Sequence, residues 1–181
     1  MADSGPYFVV FSCNPGIRQI TTKTNTVLAA APSLDLISIN GAEASALVPC
    51  LSALDPELRW RAPEGKEPVL RSQESLLPLM QFCETFHKHG ASNILVTYGG
   101  EGAYLFDGSA LHHQPIVKVE VAGTAGAGDA FVSTLAWGLA NDLAAGDAML
   151  LAAHNAASVV SFVNTTDGLL GRDDLFSRVG L

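Results

Sequence analysis

The sequence predicts an α/β fold, a mostly parallel sheet with helices on both faces. Three observations carry this. Short apolar, β-branched runs at Tyr7 to Ser12, Leu34 to Ile39 and Asn93 to Tyr98 have the length of buried strands. Longer segments with helical spacing lie between and after them, chiefly Thr21 to Ala31, Glu74 to His89, Ala127 to Asn141 and Ala144 to Phe162. Asn40, Gly99 and Gly126 each follow a strand-like run, and ligands bind at that place in open α/β sheets.

The 181 residues suffice for a single α/β domain with a packed core. Hydrophobic residues make up 48% and charged residues 15%, a balance that excludes a disordered chain. The formal net charge of -8, with no basic run, argues against nucleic acid and against an anionic membrane surface. An anion site here must rely on backbone N–H groups, a few cations and a metal. Three scattered cysteines, Cys13, Cys50 and Cys83, form no C-x-x-C pair and read as reduced thiols of a cytoplasmic protein. The N-terminal stretch has no basic region or apolar core of a signal peptide. Asp142, Asp147 and His154 interrupt the late apolar helices, so no transmembrane span is expected.

Taken in order, the Tyr7 to Ser12 strand is ended by Asn14-Pro15-Gly16, with Arg18 just beyond. Pro32 stops the helix from Thr21 to Ala31. The strand from Leu34 leads into Asn40-Gly41-Ala42-Glu43, which on its own reads as a helix start with Asn40 as cap and Glu43 at the third position. Pro49 to Ser72, rich in proline, reads as an irregular insert; no chemistry is assigned to Trp60 within it. In the helix from Glu74 to His89, Pro78 marks the first turn. The Asn93 to Tyr98 strand runs into Gly99-Gly100-Glu101-Gly102, then Ala103 to Phe106, then the turn signal Asp107-Gly108. A loop from Asn164 to Gly171 and a short helix from Arg172 to Val179 close the chain.

The organising stretch is Val119 to Ala140. A β-branched run from Ile116 to Val121 leads through Gly123-Thr124-Ala125-Gly126-Ala127-Gly128-Asp129 into an apolar helix. Strand, glycine turn and helix make an anion site, because the first helical N–H groups lack partners and the macrodipole adds partial positive charge. Asp129 stands at the helix start. It reads either as an N-cap or as a general base, since a carboxylate beside a bound phosphate otherwise suffers repulsion. The stretch is no Walker A loop, because no Lys follows the glycines, and its spacing is not G-x-G-x-x-G.

Gly123 to Asp129 resembles the D-T-x-G-A-G-D signature of the ribokinase (PfkB) family of carbohydrate and nucleoside kinases. Every position but the first matches; Gly123 replaces the first Asp. Asn40 to Glu43 is similar to the family's N-x-x-E, and Thr97 to Gly102 to its T-x-G-x-x-G. Asn14 to Arg18 resembles a degraded D-P-N-x-R. The resemblance implies a ribokinase-like fold whose N-terminal substrate and lid part is missing. It implies ATP and Mg2+ as cofactors, with Glu43 helping to hold the metal. Thr97, Gly99, Gly102, Thr124, Asn155, Asn40 and Arg18 would line the nucleotide side. Gly126, Ala127 and Gly128 would hold the transferring phosphoryl group, and Asp129 would act as base on a hydroxyl of a sugar or nucleoside. The Asp that Gly123 replaces serves a monovalent cation site in some members, so its loss counts against such activation.

Each assignment has a plainer counterpart. Arg18 reads equally as a solvated surface residue, the Thr97 to Gly102 stretch as a tight turn, and Asn155 as a buried amide in need of a partner. The missing strands leave a sheet edge that favours a homo-oligomer or a partner chain. The rival to a kinase is a non-catalytic nucleotide-binding or interaction domain, favoured by Gly123, Asn14 and Gly16. A Rossmann oxidoreductase is disfavoured by the glycine spacing.

Overall fold

The computed structural model describes residues 12–13, 15–58, 67–72 and 75–181. Most of the expected first strand, together with Asn14 and Trp60, lies outside them. The chain divides into two compact units, one spanning residues 11–113 and the other containing residues 114–181.

The first unit is built on a five-stranded sheet. Its strands are β1 (Ser12–Cys13), β2 (Leu36–Asn40), β5 (Asn93–Thr97), β6 (Ala103–Phe106) and β7 (Leu111–Gln114), in that spatial order. β1, β2 and β5 run parallel, and β6 turns back antiparallel to β5. Between β1 and β2 lie α1 (Ile17–Thr22), α2 (Thr24–Ala30) and a single 3₁₀ turn, Ala31–Ser33. The expected helix from Thr21 thus starts earlier and breaks at Lys23, where φ is -138°. The 3₁₀ turn around Pro32 delays the second strand to Leu36 and leaves Asn40 as its last residue.

Alternate residues of β2 and β5 are buried on both sides of the sheet. Ile37, Ile39, Ile94 and Val96 join one core with Leu47, Val48 and Leu51 of α3 (Gly41–Leu54) and Phe82, Cys83 and Phe86 of α4 (Leu79–Lys88). Leu36, Leu95 and Leu105 are equally buried on the other side. Strands buried on both faces read as continuous apolar runs, which is why the sequence marked them.

Two expectations fail in this unit. The stretch from Pro49 is not irregular at its start: α3 runs through Pro49 to Leu54. Pro49 faces solvent while Leu47, Val48 and Leu51 are fully buried, so core burial outweighs the proline's cost of about 3 kcal/mol. The end of that stretch and the start of the next expected helix form an antiparallel ribbon, β3 (Val69–Ser72) with β4 (Ser75–Pro78). Its strands were hidden because each inserts one fully buried leucine, Leu70 or Leu77, too short a signal to show a period. The helix begins at Leu79, directly after Pro78.

In the second unit, α5 (Ala127–Ala140) packs on α6 (Ala145–Val160), and α6 also meets α7 (Arg172–Val179). A Cβ on Gly138 would lie 2.7 Å from Cβ of Ala148, so the small residues set a close approach of α5 and α6. The expected strand from Ile116 to Val121 does not form. Ile116, Val119 and Val121 are exposed, and among the described residues no strand pairs with this run, so its β propensity makes no strand there.

Candidate active site

In the first unit, the sheet register itself assembles one group of residues. Asn40 and Thr97 are direct partners at the carboxyl ends of β2 and β5. Asn40 then caps α3 by a reciprocal box: its Oδ1 accepts from the Glu43 N–H at 2.9 Å, and Glu43 Oε2 accepts from the Asn40 N–H at 2.9 Å. The plainer reading of this tetrapeptide is therefore realised in full. Glu43 is only 7% exposed, and among the described residues its second carboxylate oxygen has no hydrogen bond.

After Thr97 the chain makes a 3₁₀ turn, Gly99–Glu101. Gly99 and Gly102 have φ of 54° and 97°, a region costly for any side chain, so the turn requires glycine at both places. The Gly102 carbonyl accepts from Tyr98 N–H at 2.9 Å, closing the turn on its own strand. Tyr98 lies against the start of α3, where a Cβ on Gly41 would sit 3.0 Å from its ring. Arg18 is exposed on α1 and has no ion pair among the described residues.

In the second unit, the glycine turn is held by the end of α6. The N–H groups of Ala122 and Gly123 both donate to the Val160 carbonyl, at 2.8 and 3.2 Å. Gly126 is the N-cap of α5, with φ 84°, and a Cβ there would lie 2.8 Å from the Thr165 carbonyl oxygen. Positive φ and the close backbone together exclude other residues. The first intrahelical bond is Ala130 N–H to Gly126 carbonyl at 2.9 Å, so the N–H groups of Ala127, Gly128 and Asp129 make no backbone bond among the described residues. Thr124 is exposed next to them.

Asp129 is not the N-cap, so the capping alternative is corrected. It occupies the first turn of α5, exposed, and its carboxylate has no hydrogen bond or ion pair among the described residues. Helix start, unpaired amides and a solvent-facing carboxylate thus share one turn. This arrangement can bind an anion and can take a proton from a group beside it.

Asn155 is 5% exposed, and the partners it needs are supplied by the protein. Its Nδ2 donates to Thr134 Oγ1 at 2.8 Å, and its Oδ1 accepts from Leu170 N–H at 3.0 Å. It thereby ties α5, α6 and the loop before α7 together. Val160 holds the turn, and Leu170 holds Asn155, through backbone groups alone, so no side-chain pattern in the sequence could have marked them.

Among the described residues no cluster of three His, Cys, Asp or Glu side chains could hold a metal unaided. A magnesium ion does not need one, since it keeps several waters and takes much of its shell from phosphate oxygens. A single buried carboxylate with a free oxygen, Glu43, fits that mode of binding.

The fold is of the ribokinase-like class. The chain is similar to the crystal structure of a ribokinase from Thermotoga maritima, with TM-score 0.67 and 18% identity over 97% of this chain and 50% of that one. The ribokinase of Arabidopsis thaliana complexed with ribose and ATP aligns with TM-score 0.65 and 22% identity, over 85% of this chain and 43% of that one. A fructosamine kinase of Bacillus subtilis is 42% identical over 53 residues, 29% of this chain and 19% of that protein. Residues 4–170 match the model of the pfkB family of carbohydrate kinases, and the chain belongs to that family. It spans about half the length of the ribokinase structure from Thermotoga maritima.

Proposed function

We propose that the chain takes part in ATP-dependent phosphoryl transfer to a hydroxyl of a sugar or nucleoside. The observation that carries this is the turn at Gly126: three amides at a helix start without a bond among the described residues, and beside them the exposed carboxylate of Asp129, equally without a partner there. In phosphoryl transfer negative charge spreads over the equatorial oxygens, and oriented amides stabilise it without reorganising. Asp129 accepts the proton of the attacking hydroxyl as its oxygen bonds to phosphorus and the nucleoside diphosphate leaves. Thr97, Gly99, Gly102 and Asn40 would line the nucleotide, with Arg18 as a further contact, and Thr124 would face phosphate beside the glycine turn; the Asn155 amide is taken by Thr134 and Leu170. Glu43 would help hold a magnesium ion, which would supply charge neutralisation at the phosphates. Membership of a carbohydrate kinase family and the similarity to a ribokinase solved with ribose and ATP support this reading.

A second reading has an observation of its own. Gly123 stands where the family signature has Asp. It would make the chain a nucleotide-binding or interaction domain without turnover, completed by a partner chain. Calorimetric titration of Mg-ATP, with a panel of sugars and nucleosides for phosphorylation, separates the two. If the kinase reading holds, Asp129→Asn lowers turnover about 10²–10⁴-fold and leaves nucleotide affinity within about twofold. Binding without turnover on any acceptor favours the second reading, and turnover unchanged by Asp129→Asn removes Asp129 from the chemistry.

A further inference from the structure

We infer that Arg71, on the β3–β4 ribbon, is a phosphate-binding residue of the nucleotide site. The inference rests on the reading that the carboxyl ends of β2 and β5 receive the nucleotide. The ribbon is fastened to that end of the sheet from two directions. Ser45 Oγ, one turn into α3, donates to the Arg71 carbonyl at 3.1 Å and also to the Gly41 carbonyl at 2.8 Å. Tyr98 Oη, next to Thr97, donates to the Val69 carbonyl at 3.3 Å. The Arg71 backbone is therefore held beside the first turn of α3, the turn that carries Asn40 and Glu43.

Leu70 is fully buried and Arg71 is exposed, so the ribbon anchors itself with one residue and presents the next. The guanidinium makes no ion pair among the described residues. Arg71 also acts on Tyr98, the residue after Thr97: burial, chiefly, raises the Tyr98 phenol well above its ordinary value, with Glu101 among the groups that add to the rise, while Arg71 opposes it. Cations are scarce in this acidic chain, and in the first unit Lys88 is already paired with Asp55 at 3.8 Å. Glu43 and Glu101 both place negative charge at this end. A polyphosphate needs a compensating cation there, and a planar, permanently charged guanidinium suits phosphate oxygens.

The test is titration of the 181-residue chain and of Arg71→Ala, Arg71→Gln and Arg71→Lys with Mg-ATP, Mg-ADP and adenosine at two salt concentrations. Arg71→Ala and Arg71→Gln are expected to weaken ATP and ADP about tenfold and flatten their salt dependence, while adenosine affinity stays unchanged. Arg71→Lys recovers part of the loss. Matching far-UV spectra and thermal midpoints show that the variants are folded. Equal ATP affinity in wild type and Arg71→Ala, or equal losses for ATP and adenosine, overturns the role of Arg71 alone. No binding of ATP or adenosine by the wild type overturns the nucleotide-site reading, and the assignment of Arg71 with it.

Discussion

Asp129 shows how little the identity of a residue says until its partners are known. An Asp at a helix start is most often a cap, yet here Gly126 holds the capping position and the carboxylate is left to solvent. Gly126 is the residue on which this depends. Gly126→Ala puts a Cβ at positive φ and against the Thr165 carbonyl, and is expected to cost about 1–3 kcal/mol, read from urea denaturation. Asn155 argues the other way. Its amide already holds Thr134 and Leu170, so Asn155→Ala is expected to lower stability by about 1–3 kcal/mol through an unpaired N–H and hydroxyl. A variant of native stability that lost ATP affinity would instead make Asn155 a ligand contact.

Among the elements, the β6–β7 hairpin depends for part of its stability on a titrating group, Asp107. Burial pushes the Asp107 carboxyl up, but hydrogen bonds from the Ala110 N–H, from His112 and from the hydroxyl and N–H of Ser109 outweigh it and hold it well below the usual carboxylate range. The folded state thus binds fewer protons than the unfolded one. This contribution is present above the unfolded value of about 3.9 and is lost as pH falls toward the folded value. Asp107→Asn is expected to destabilise the chain by about 1 kcal/mol at neutral pH, and the gap to wild type should narrow progressively as pH falls below about 4. Urea midpoints measured across that range check it; a gap independent of pH contradicts the assignment. The β3–β4 ribbon makes a related point. The sequence predicts an irregular insert over β3 and a helix over β4, because the ribbon's β-character rests on Leu70, Leu77 and two backbone carbonyls that accept from Ser45 and Tyr98.

For the whole molecule, the proposed reading makes a thermodynamic claim. A ligand that binds only the native chain stabilises it by mass action, about 2.7 kcal/mol at a hundred times its Kd. Mg-ATP at that excess is expected to raise the melting temperature by about 5–10 °C for a chain of this size. Asp129→Asn keeps this shift and Arg71→Ala reduces it at fixed ATP. A melting temperature indifferent to ATP speaks against nucleotide binding. No helix among the described residues is long and apolar enough to cross a membrane.

The central strands, the glycine turn and the family motifs could be read from the sequence because each is a local pattern. Continuous apolar runs identify strands buried on two faces, and glycines at Gly99, Gly102 and Gly126 answer to backbone angles that other residues avoid. What depended on partners could not be read. The run from Ile116 to Val121 has strand composition but no strand beside it among the described residues, α3 passes through a proline because its other face is buried, and Asn155 finds its partners on α5 and in the loop before α7. Local propensity is a property of a few neighbouring residues. Pairing, capping and burial belong to residues far apart in the chain, and only the tertiary structure decides which of them meet.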